Sequence, residues 1–289
     1  MPVHFQTIAI IGKYMNASQL QLMQVDLADL ARHLSAKNLT VLMEENTAKH
    51  AEISGFKTVK LSEIGAEADL AIVLGGDGTM LSVARSLLNS DVPLVGINRG
   101  RFGFLTDIRT DHMLQAMDEI LDQRYQSEPR MCLTAQVMRG GVIMQNGVAM
   151  NDVVIKSGLR LIEFEVEIDG KFVHKQRADG LIISTPTGTT AYALSAGGPI
   201  LHPSLEAIAL VPISPHTLSN RPIAISSVSK IEITIMQSDD AQLSYDGQQQ
   251  SALEIGDRIL IVRAAKTVTL LHPEMYSYYD MLRNKLNWS

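Results

Sequence analysis

Residues 75–78, Gly-Gly-Asp-Gly, constrain this chain more than any other stretch. Before them, Asp69-Leu-Ala-Ile-Val-Leu74 is a short apolar run, partly β-branched, with the pattern of a buried strand. After them, Met80, Leu81, Val83, Ala84, Leu87 and Leu88 recur at helical spacing. The turn therefore lies at the carboxyl end of a strand, where open α/β sheets bind their ligands. Its glycines let a ligand approach the backbone closely. The helix that follows offers unpaired N–H groups and a positive dipole end, which suit phosphate. Asp77 is the odd member, because a carboxylate beside bound phosphate is repelled by it. Two readings of Asp77 stand open. It is a general base on a hydroxyl or an indirect holder of a metal ion, or it is a turn aspartate that caps the helix through the N–H of Thr79 or Met80.

The rest of the first half alternates strand and helix. Residues 7–11 read as a strand ending at Gly12, and residues 18–37 as an amphipathic helix with Leu20, Met23, Leu27, Leu30, Ala31 and Leu34 on one stripe. Residues 39–43 form a second strand. Short helices are expected near 47–52 and 61–65. The helix after the glycine turn runs to about residue 89, residues 93–97 form a further strand, and a helix covers about 111–121. Such alternation implies a parallel sheet with helices on both faces.

From about residue 128 the pattern turns to strands, at 132–138, 142–144, 147–155, 161–168, 172–178, 181–184, 209–213, 231–236, 243–245, 258–263 and 268–271. Asp169-Gly170 is a strong hairpin signal and Arg139-Gly140-Gly141 a second turn. This half reads as an all-β sandwich. It is interrupted by a short helix from Thr189 to about Ala196, which ends at Gly197-Gly198-Pro199. The expected domains are residues 1–126, 127–274 and a helical tail, 275–289, that returns to pack on the first.

Three more stretches carry chemistry. Residues 177–192, Arg-Ala-Asp-Gly-Leu-Ile-Ile-Ser-Thr-Pro-Thr-Gly-Thr-Thr-Ala-Tyr, take a strand into a turn rich in hydroxyls that opens a helix. Hydroxyls and free N–H groups there bind anionic or ribose oxygens, or they simply cap the junction. Asn151-Asp152 stands at a strand start, either to read an adenine edge and ribose hydroxyls or as a turn. The loop 96–107 carries Arg99, Arg101 and the aromatics Phe102 and Phe104. An aromatic ring there stacks on a base or anchors the core, and the arginines offset phosphate charge or are solvated. His216, between prolines, reads as structural or interfacial. Asp246-Gly247-Gln248 lines a pocket or forms a hairpin turn, with the turn as the default.

Charge and composition exclude several classes. With 25 basic and 31 acidic residues the net charge is −6, which argues against a general nucleic-acid or anionic-membrane binder. No apolar run approaches the roughly 20 residues of a membrane span. Cys132 is the only cysteine, so no intrachain disulfide forms, and with no secretory leader visible the expected location is a reducing cytoplasm. The eight histidines include no His-Glu-x-x-His, so a protein-held metal is not expected. There is no Gly-x-x-x-x-Gly-Lys-Ser/Thr, and residues 8–13 lack Gly-x-Gly-x-x-Gly, so neither a P-loop ATPase nor an ordinary Rossmann dehydrogenase is supported.

Taken in order, Gly75-Gly-Asp-Gly-Thr79, Gly96-Ile-Asn-Arg-Gly100, Gly103-Phe-Leu-Thr-Asp107, Asn151-Asp152, Asp179 through Tyr192 and Gly197-Gly-Pro199 resemble the NAD kinase family, bacterial type. Ser214-Pro-His-Thr-Leu-Ser219, Arg221-Pro222, Tyr276-Ser-Tyr-Tyr279 and Lys285-Leu-Asn-Trp-Ser289 extend the resemblance, which covers about residues 7–289. Gly-Gly-Asp-Gly alone is shared with phosphofructokinases and lipid kinases, whereas the ordered set is specific.

The resemblance implies an N-terminal open parallel α/β domain, a C-terminal β-sandwich and a tail helix returning to the first domain. It implies transfer of phosphate from ATP to the 2′-hydroxyl of the adenosine ribose of NAD, giving NADP. It makes Asp77 the proton acceptor, with Gly78 against the substrate and Gly75, Gly76, Gly78 and Thr79 in the phosphate-donor region. Asn151 and Asp152 are implied to bind the dinucleotide, with Asp152 shorter than the Glu of many relatives. Thr187, Thr190, Ala191, Tyr192, Ala193, Leu194 and Ser195 would wrap the adenosine side, with Phe104 at adenine and Asp179 near the nicotinamide. Gln248 matches a pocket position and Arg160 lies near a binding one. Arg177 matches a position where arginine goes with preference for NAD over NADH. A homodimer or homotetramer is implied, a neighbouring subunit helping to complete the site.

A ribose hydroxyl is a poor nucleophile, so an acceptor for its proton is needed as the γ-phosphoryl moves. With no carboxylate cluster in sight, the divalent cation, Mg²⁺ or Mn²⁺, is expected to arrive with ATP. The competing readings are another Gly-Gly-Asp-Gly kinase, acting on a sugar phosphate or a lipid alcohol, and a non-catalytic NAD(P)-binding regulator.

Overall fold

The computed structural model describes residues 4–12, 17–100, 103–158, 160–217 and 219–288. The loop residues Arg101 and Phe102 and the terminal Ser289 lie outside them, as does Leu218 of the 214–219 motif. The chain divides into two compact units, residues 1–129 with 268–289, and residues 130–267.

The first unit runs β1 (Thr7–Gly12), α1 (Ala17–Ala36), β2 (Thr40–Glu44), α2 (Glu45–His50), β3 (Lys57–Val59), α3 (Ile64–Glu67), β4 (Leu70–Leu74), α4 (Asp77–Leu87), β5 (Leu94–Asn98), β6 (Ile108–Arg109) and α5 (Met113–Leu121). The strands pair in parallel in the order β5-β4-β1-β2-β3. Ile8, Ile10, Leu70, Ile72, Leu74, Val95 and Ile97 point to one face, where α1 and α5 bury Leu27, Leu30, Met113, Met117 and Ile120. The alternate residues Ala9, Ala71 and Val73 are buried too. A Cβ on Gly96 would overlap Met80 Cε, so α4 covers that second face. Two covered faces make these strands continuous apolar runs. Because β1 starts the sheet in its middle, strand order reverses between β1 and β4. The glycine turn follows β4 at that reversal, at the carboxyl edge where Gly12 pairs with Leu74.

The second unit begins inside β7 (Tyr125–Arg139) and continues with β8 (Val142–Ala149), β9 (Asp152–Lys156), β10 (Ile162–Ile168), β11 (Lys171–Ala178), β12 (Gly180–Ser184), α6 (Tyr192–Ser195), β13 (Ala207–Ile213), β14 (Ile223–Ser226), β15 (Ile231–Gln237), β16 (Gln242–Tyr245), β17 (Gln249–Ala252) and β18 (Arg258–Pro273). One antiparallel sheet joins β11-β10-β15 to the first half of β18, and a second has the order β14-β13-β12-β9-β16-β17. Phe164, Val166, Ile233 and Ile261 of the first sheet meet Val153, Ile155, Leu181, Ile183 and Tyr245 of the second in one core. The expected sandwich is therefore present. The other face of the second sheet, Val154, Ile182, Ala209 and Val211, is buried under Ala193 and Leu201.

The hairpin signals hold: Asp169-Gly170 and Gly140-Gly141 both take positive φ at two successive residues, as two-residue hairpin loops require. The expected strand 147–155 is broken at Met150 and Asn151. The two runs expected at 258–263 and 268–271 are one strand, β18, whose second half pairs in parallel with β5 at Leu270 and Leu94. That pairing is why the first unit takes up the chain again at Val268, before the tail that sequence places at 275. The last helix, α7 (Tyr278–Leu286), buries Tyr278, Met281 and Leu282 and belongs to the first unit.

Candidate active site

Asp77 is the first residue of α4, after the N-cap Gly76, and its carboxylate does not cap that helix. The N–H groups of Thr79 and Met80 both turn back to the Gly76 carbonyl. The carboxylate instead reaches a loop 27 residues away. Phe104 N–H donates to Oδ2 at 2.8 Å, and Leu105 N–H and the Thr106 hydroxyl donate to Oδ1 at 3.0 and 3.2 Å. The capping reading of this residue is thus replaced by a cradle of three neutral donors. The cradle is tight: a Cβ on Gly103 would overlap both Asp77 Oδ1 and Thr106 Oγ1. Asn98 completes it, its side-chain amide donating to Thr106 Oγ1 at 2.9 Å while its Oδ1 accepts from Gly100 N–H at 2.7 Å. Gly75 is buried, Gly76, Asp77 and Thr79 are half-buried and Gly78 is exposed. Phe104 is half-buried, with Lys285 Nζ of α7 standing 5.4 Å from its ring centroid. Arg99 is spent on Asp26 of α1 at 2.6 Å.

In the second unit, antiparallel pairing sets Asp152 beside Ser184. The Thr-rich turn after β12 therefore folds over Asn151. Thr185 N–H donates to the Asn151 carbonyl at 2.9 Å and its hydroxyl to that of Met150 at 2.6 Å. A Cβ on Gly188 would collide with the Asn151 backbone, so glycine is what lets the turn close. Arg130, buried, donates to the Thr187 hydroxyl at 3.4 Å. The expected helix 189–196 is a 3₁₀ turn over Thr187–Thr190 followed by the single turn α6. Thr190, Ala191 and Leu194 are half-buried, and Tyr192 and Ser195 exposed. Ala193 points into the core beside Val154 and Ile182.

The pattern Asp246-Gly247-Gln248 predicts a hairpin turn by default, or a pocket lining. Asp246 does take positive φ in the β16–β17 turn, but its carboxylate accepts from three successive N–H groups, Met150 at 3.1, Asn151 at 2.7 and Asp152 at 3.2 Å. This is what ends the strand before Asp152. The Asp152 side chain is buried, and burial, with the Asp246 charge second, pushes its carboxyl up to about 7. Gln248 follows on the exposed side of the same turn.

Arg160, Arg177 and Asp179 gather at the other end of the β9–β12 pair, four residues or about 13 Å along from Asp152. With Glu163, Gln237 and Asp239 they line a cleft of about 460 Å³. Arg160 pairs there with Asp239 at 2.8 Å, and Arg177 approaches Glu163 at 3.8 Å. His216 is exposed, and its N–H donates to the Arg177 carbonyl. Among the described residues no three His, Cys, Asp or Glu side chains are grouped to hold a metal ion.

A carboxylate kept off its own helix, at the start of that helix and the carboxyl edge of a parallel sheet, is equipment for a phosphotransferase that acts on an alcohol. Residues 8–125 match the ATP-NAD kinase N-terminal domain and residues 150–272 the ATP-NAD kinase C-terminal domain. The chain is 52% identical to an NAD kinase of Thiobacillus denitrificans, over all of this chain and 99% of that protein. It is 48% identical to one of Nitrosomonas europaea, over 99% of this chain and 96% of that one. Among solved structures, yeast NADH kinase complexed with NADH is similar at a TM-score of 0.87 and 26% identity, covering 98% of this chain and 86% of that one. An Archaeoglobus fulgidus NAD kinase in complex with ATP shares the fold at a TM-score of 0.74 and 23% identity, covering 98% and 100%. The chain belongs to the ATP-NAD kinase family.

Proposed function

We propose that this enzyme transfers the γ-phosphoryl group of ATP to the 2′-hydroxyl of the adenosine ribose of NAD, giving NADP and ADP. The observation that carries the proposal is the Asp77 cradle. A carboxylate offers about four lone-pair directions. Oδ1 spends two on Leu105 and Thr106, and Oδ2 spends one on Phe104. One direction on Oδ2 is left to accept the proton of a ribose hydroxyl. As the 2′-oxygen bonds to the γ-phosphorus, the bond to the β–γ bridging oxygen breaks and that oxygen leaves with ADP. The proton passes to Asp77. Such transfer relies on alignment and on neutralising charge. Gly75, Gly76, Gly78 and Thr79, at the turn into α4, border the donor phosphates, toward which the positive end of the helix dipole lies. A divalent cation, Mg²⁺ or Mn²⁺, comes with ATP, held by phosphates and water, and when bound it offsets the charge of the moving group.

The second unit grips the dinucleotide. Asn151 and Asp152 take ribose hydroxyls and the adenine edge. Thr187, Thr190, Ala191, Tyr192, Leu194 and Ser195 wrap the adenosine, Ala193 supports them from the core without reaching the ligand, and Gln248 borders the same end. Phe104 stacks on adenine. At the opposite end Asp179 serves the nicotinamide, Arg177 occupies a position where arginine goes with preference for NAD over NADH, and Arg160 sits alongside. We further propose a homodimer or homotetramer working in the cytoplasm; no helix among the described residues is long and apolar enough to cross a membrane.

The test is direct. Purified protein with ATP, Mg²⁺ and NAD should form NADP, read with an NADP-specific dehydrogenase, and ³¹P NMR should show a 2′-phosphomonoester. Absence of NADP, or phosphate at another position, overturns the proposal.

A further inference from the structure

We propose that His272 is a positioning residue for phosphoryl transfer, acting through Asp107 and the 103–106 loop on the Asp77 carboxylate. The inference rests on Asp77 being the proton acceptor. His272 lies in the second half of β18 and is 1% exposed. Its Nδ1 stands 3.0 Å from Asp107 Oδ2 and its Nε2 3.4 Å from Glu128 Oε2. One ring face stacks on Tyr276, with centroids 4.0 Å apart and planes 12° apart. The imidazole is thus held by a hydrogen bond at Nδ1 and by stacking on one face, with the Glu128 carboxylate within ion-pair distance of Nε2.

What it fixes is the end of the cradle. Asp107 directly follows Thr106, the hydroxyl that donates to Asp77. The other end of the loop lies under the tail, with Lys285 over the Phe104 ring. Between these two anchors sit the three donors that aim the carboxylate. An apolar side chain would fill the position of His272 without the cost of drawing carboxylates out of water, so packing alone does not account for the cluster. Geometry does: an error of about 1 Å in a catalytic group costs up to about a hundredfold in rate.

His272→Gln keeps a donor of similar length but not the planar ring between two carboxylates. It should lower kcat about tenfold while KM for NAD and for ATP stays within about twofold. The decisive readout is a double-mutant cycle with Asp77→Asn. If His272 works by aiming Asp77, the variant lacking that carboxylate loses nothing further when His272→Gln is added. A kcat within twofold of wild type, a loss carried by KM, or a loss that multiplies in full onto Asp77→Asn overturns the proposal. Should His272→Gln fail to fold, Asp107→Asn, nearly isosteric, takes its place with the same readouts. A wild-type protein that forms no NADP overturns the parent reading together with this one. An active wild type whose variant keeps its kcat overturns this one alone.

Discussion

Two aspartates at strand ends, one in each unit, have opposite surroundings. Asp77 is half-exposed and its carboxylate receives three hydrogen bonds from neutral donors, with no carboxylate among them. Asp152 is buried, with the Asp246 carboxylate beside it as a charged neighbour. The first setting aims the carboxylate through neutral hydrogen-bond donors. The second disfavours the charge and leaves a carboxyl that shares its proton near neutral pH. The same residue type is therefore held by directed hydrogen bonds in one unit and by burial in the other, and only the second setting raises its carboxyl pKa.

The largest effect should come from abolishing the acceptor. Asp77→Asn should keep the fold and NAD affinity while kcat drops at least about a hundredfold, the usual scale for a general base. Steady-state kinetics with calorimetric NAD binding checks it, and near-normal turnover would remove Asp77 from the role. Next is the cradle itself. Gly103→Ala puts a methyl where Asp77 Oδ1 and Thr106 Oγ1 lie, so the carboxylate or the loop must move. A loss of about thirtyfold in kcat is expected, with KM for NAD nearly unchanged. If Gly103→Ala instead raises KM alone, the loop serves binding rather than the aim of Asp77.

The counterpart in the second unit is Asp246→Asn. Its carboxylate organises the N–H groups of residues 150–152, and hydrogen bonds to a charged group are worth about 1.5–3 kcal/mol each. Weakening them should raise KM for NAD about tenfold, with kcat within about threefold. A fall in kcat without a change in KM would show that the two units do not divide reaction and grip in this way.

The alternation of strands and helices, the switch to strands and the glycine turn were all legible in sequence, because period and turn chemistry are local. What escaped depends on long-range register or lacks an apolar signal. Lys57-Thr-Val59 is three residues, two of them exposed, and Gln249-Gln-Ser-Ala252 shows no apolar alternation, so β3 and β17 carried no signature. Ala264-Ala-Lys-Thr267 looked like a break, yet β18 runs through it. Asp246 reads as a hairpin turn, which it is. Its second task arises because β16 pairs with β9 at Tyr245 and Val153, a register no local pattern states. The partners of Asp77 escaped for the same reason: Gly103-Phe-Leu-Thr106 is recognisable as a motif, but only the fold shows that its N–H groups point at residue 77.

The smallest effect concerns Asp152 and reads stability rather than rate. In the folded chain its carboxyl holds a proton up to about pH 7, whereas its ordinary value is 3.8. Between those values the folded state binds more protons than the unfolded state, so its contribution to stability falls as pH rises and the deficit is complete above about 7. A difference of about 3 pH units corresponds to on the order of 4 kcal/mol at most. Asp152→Asn removes the titration at nearly constant volume. Its Tm relative to wild type should therefore rise between pH 5 and pH 8, by on the order of 5 °C for a chain of this size. Burial outranks the Asp246 charge as the cause, so Asp246→Asn should recover only the smaller part of that rise. A Tm difference that does not change with pH would mean that Asp152 is ionised throughout, and the contrast with Asp77 would then be one of position alone.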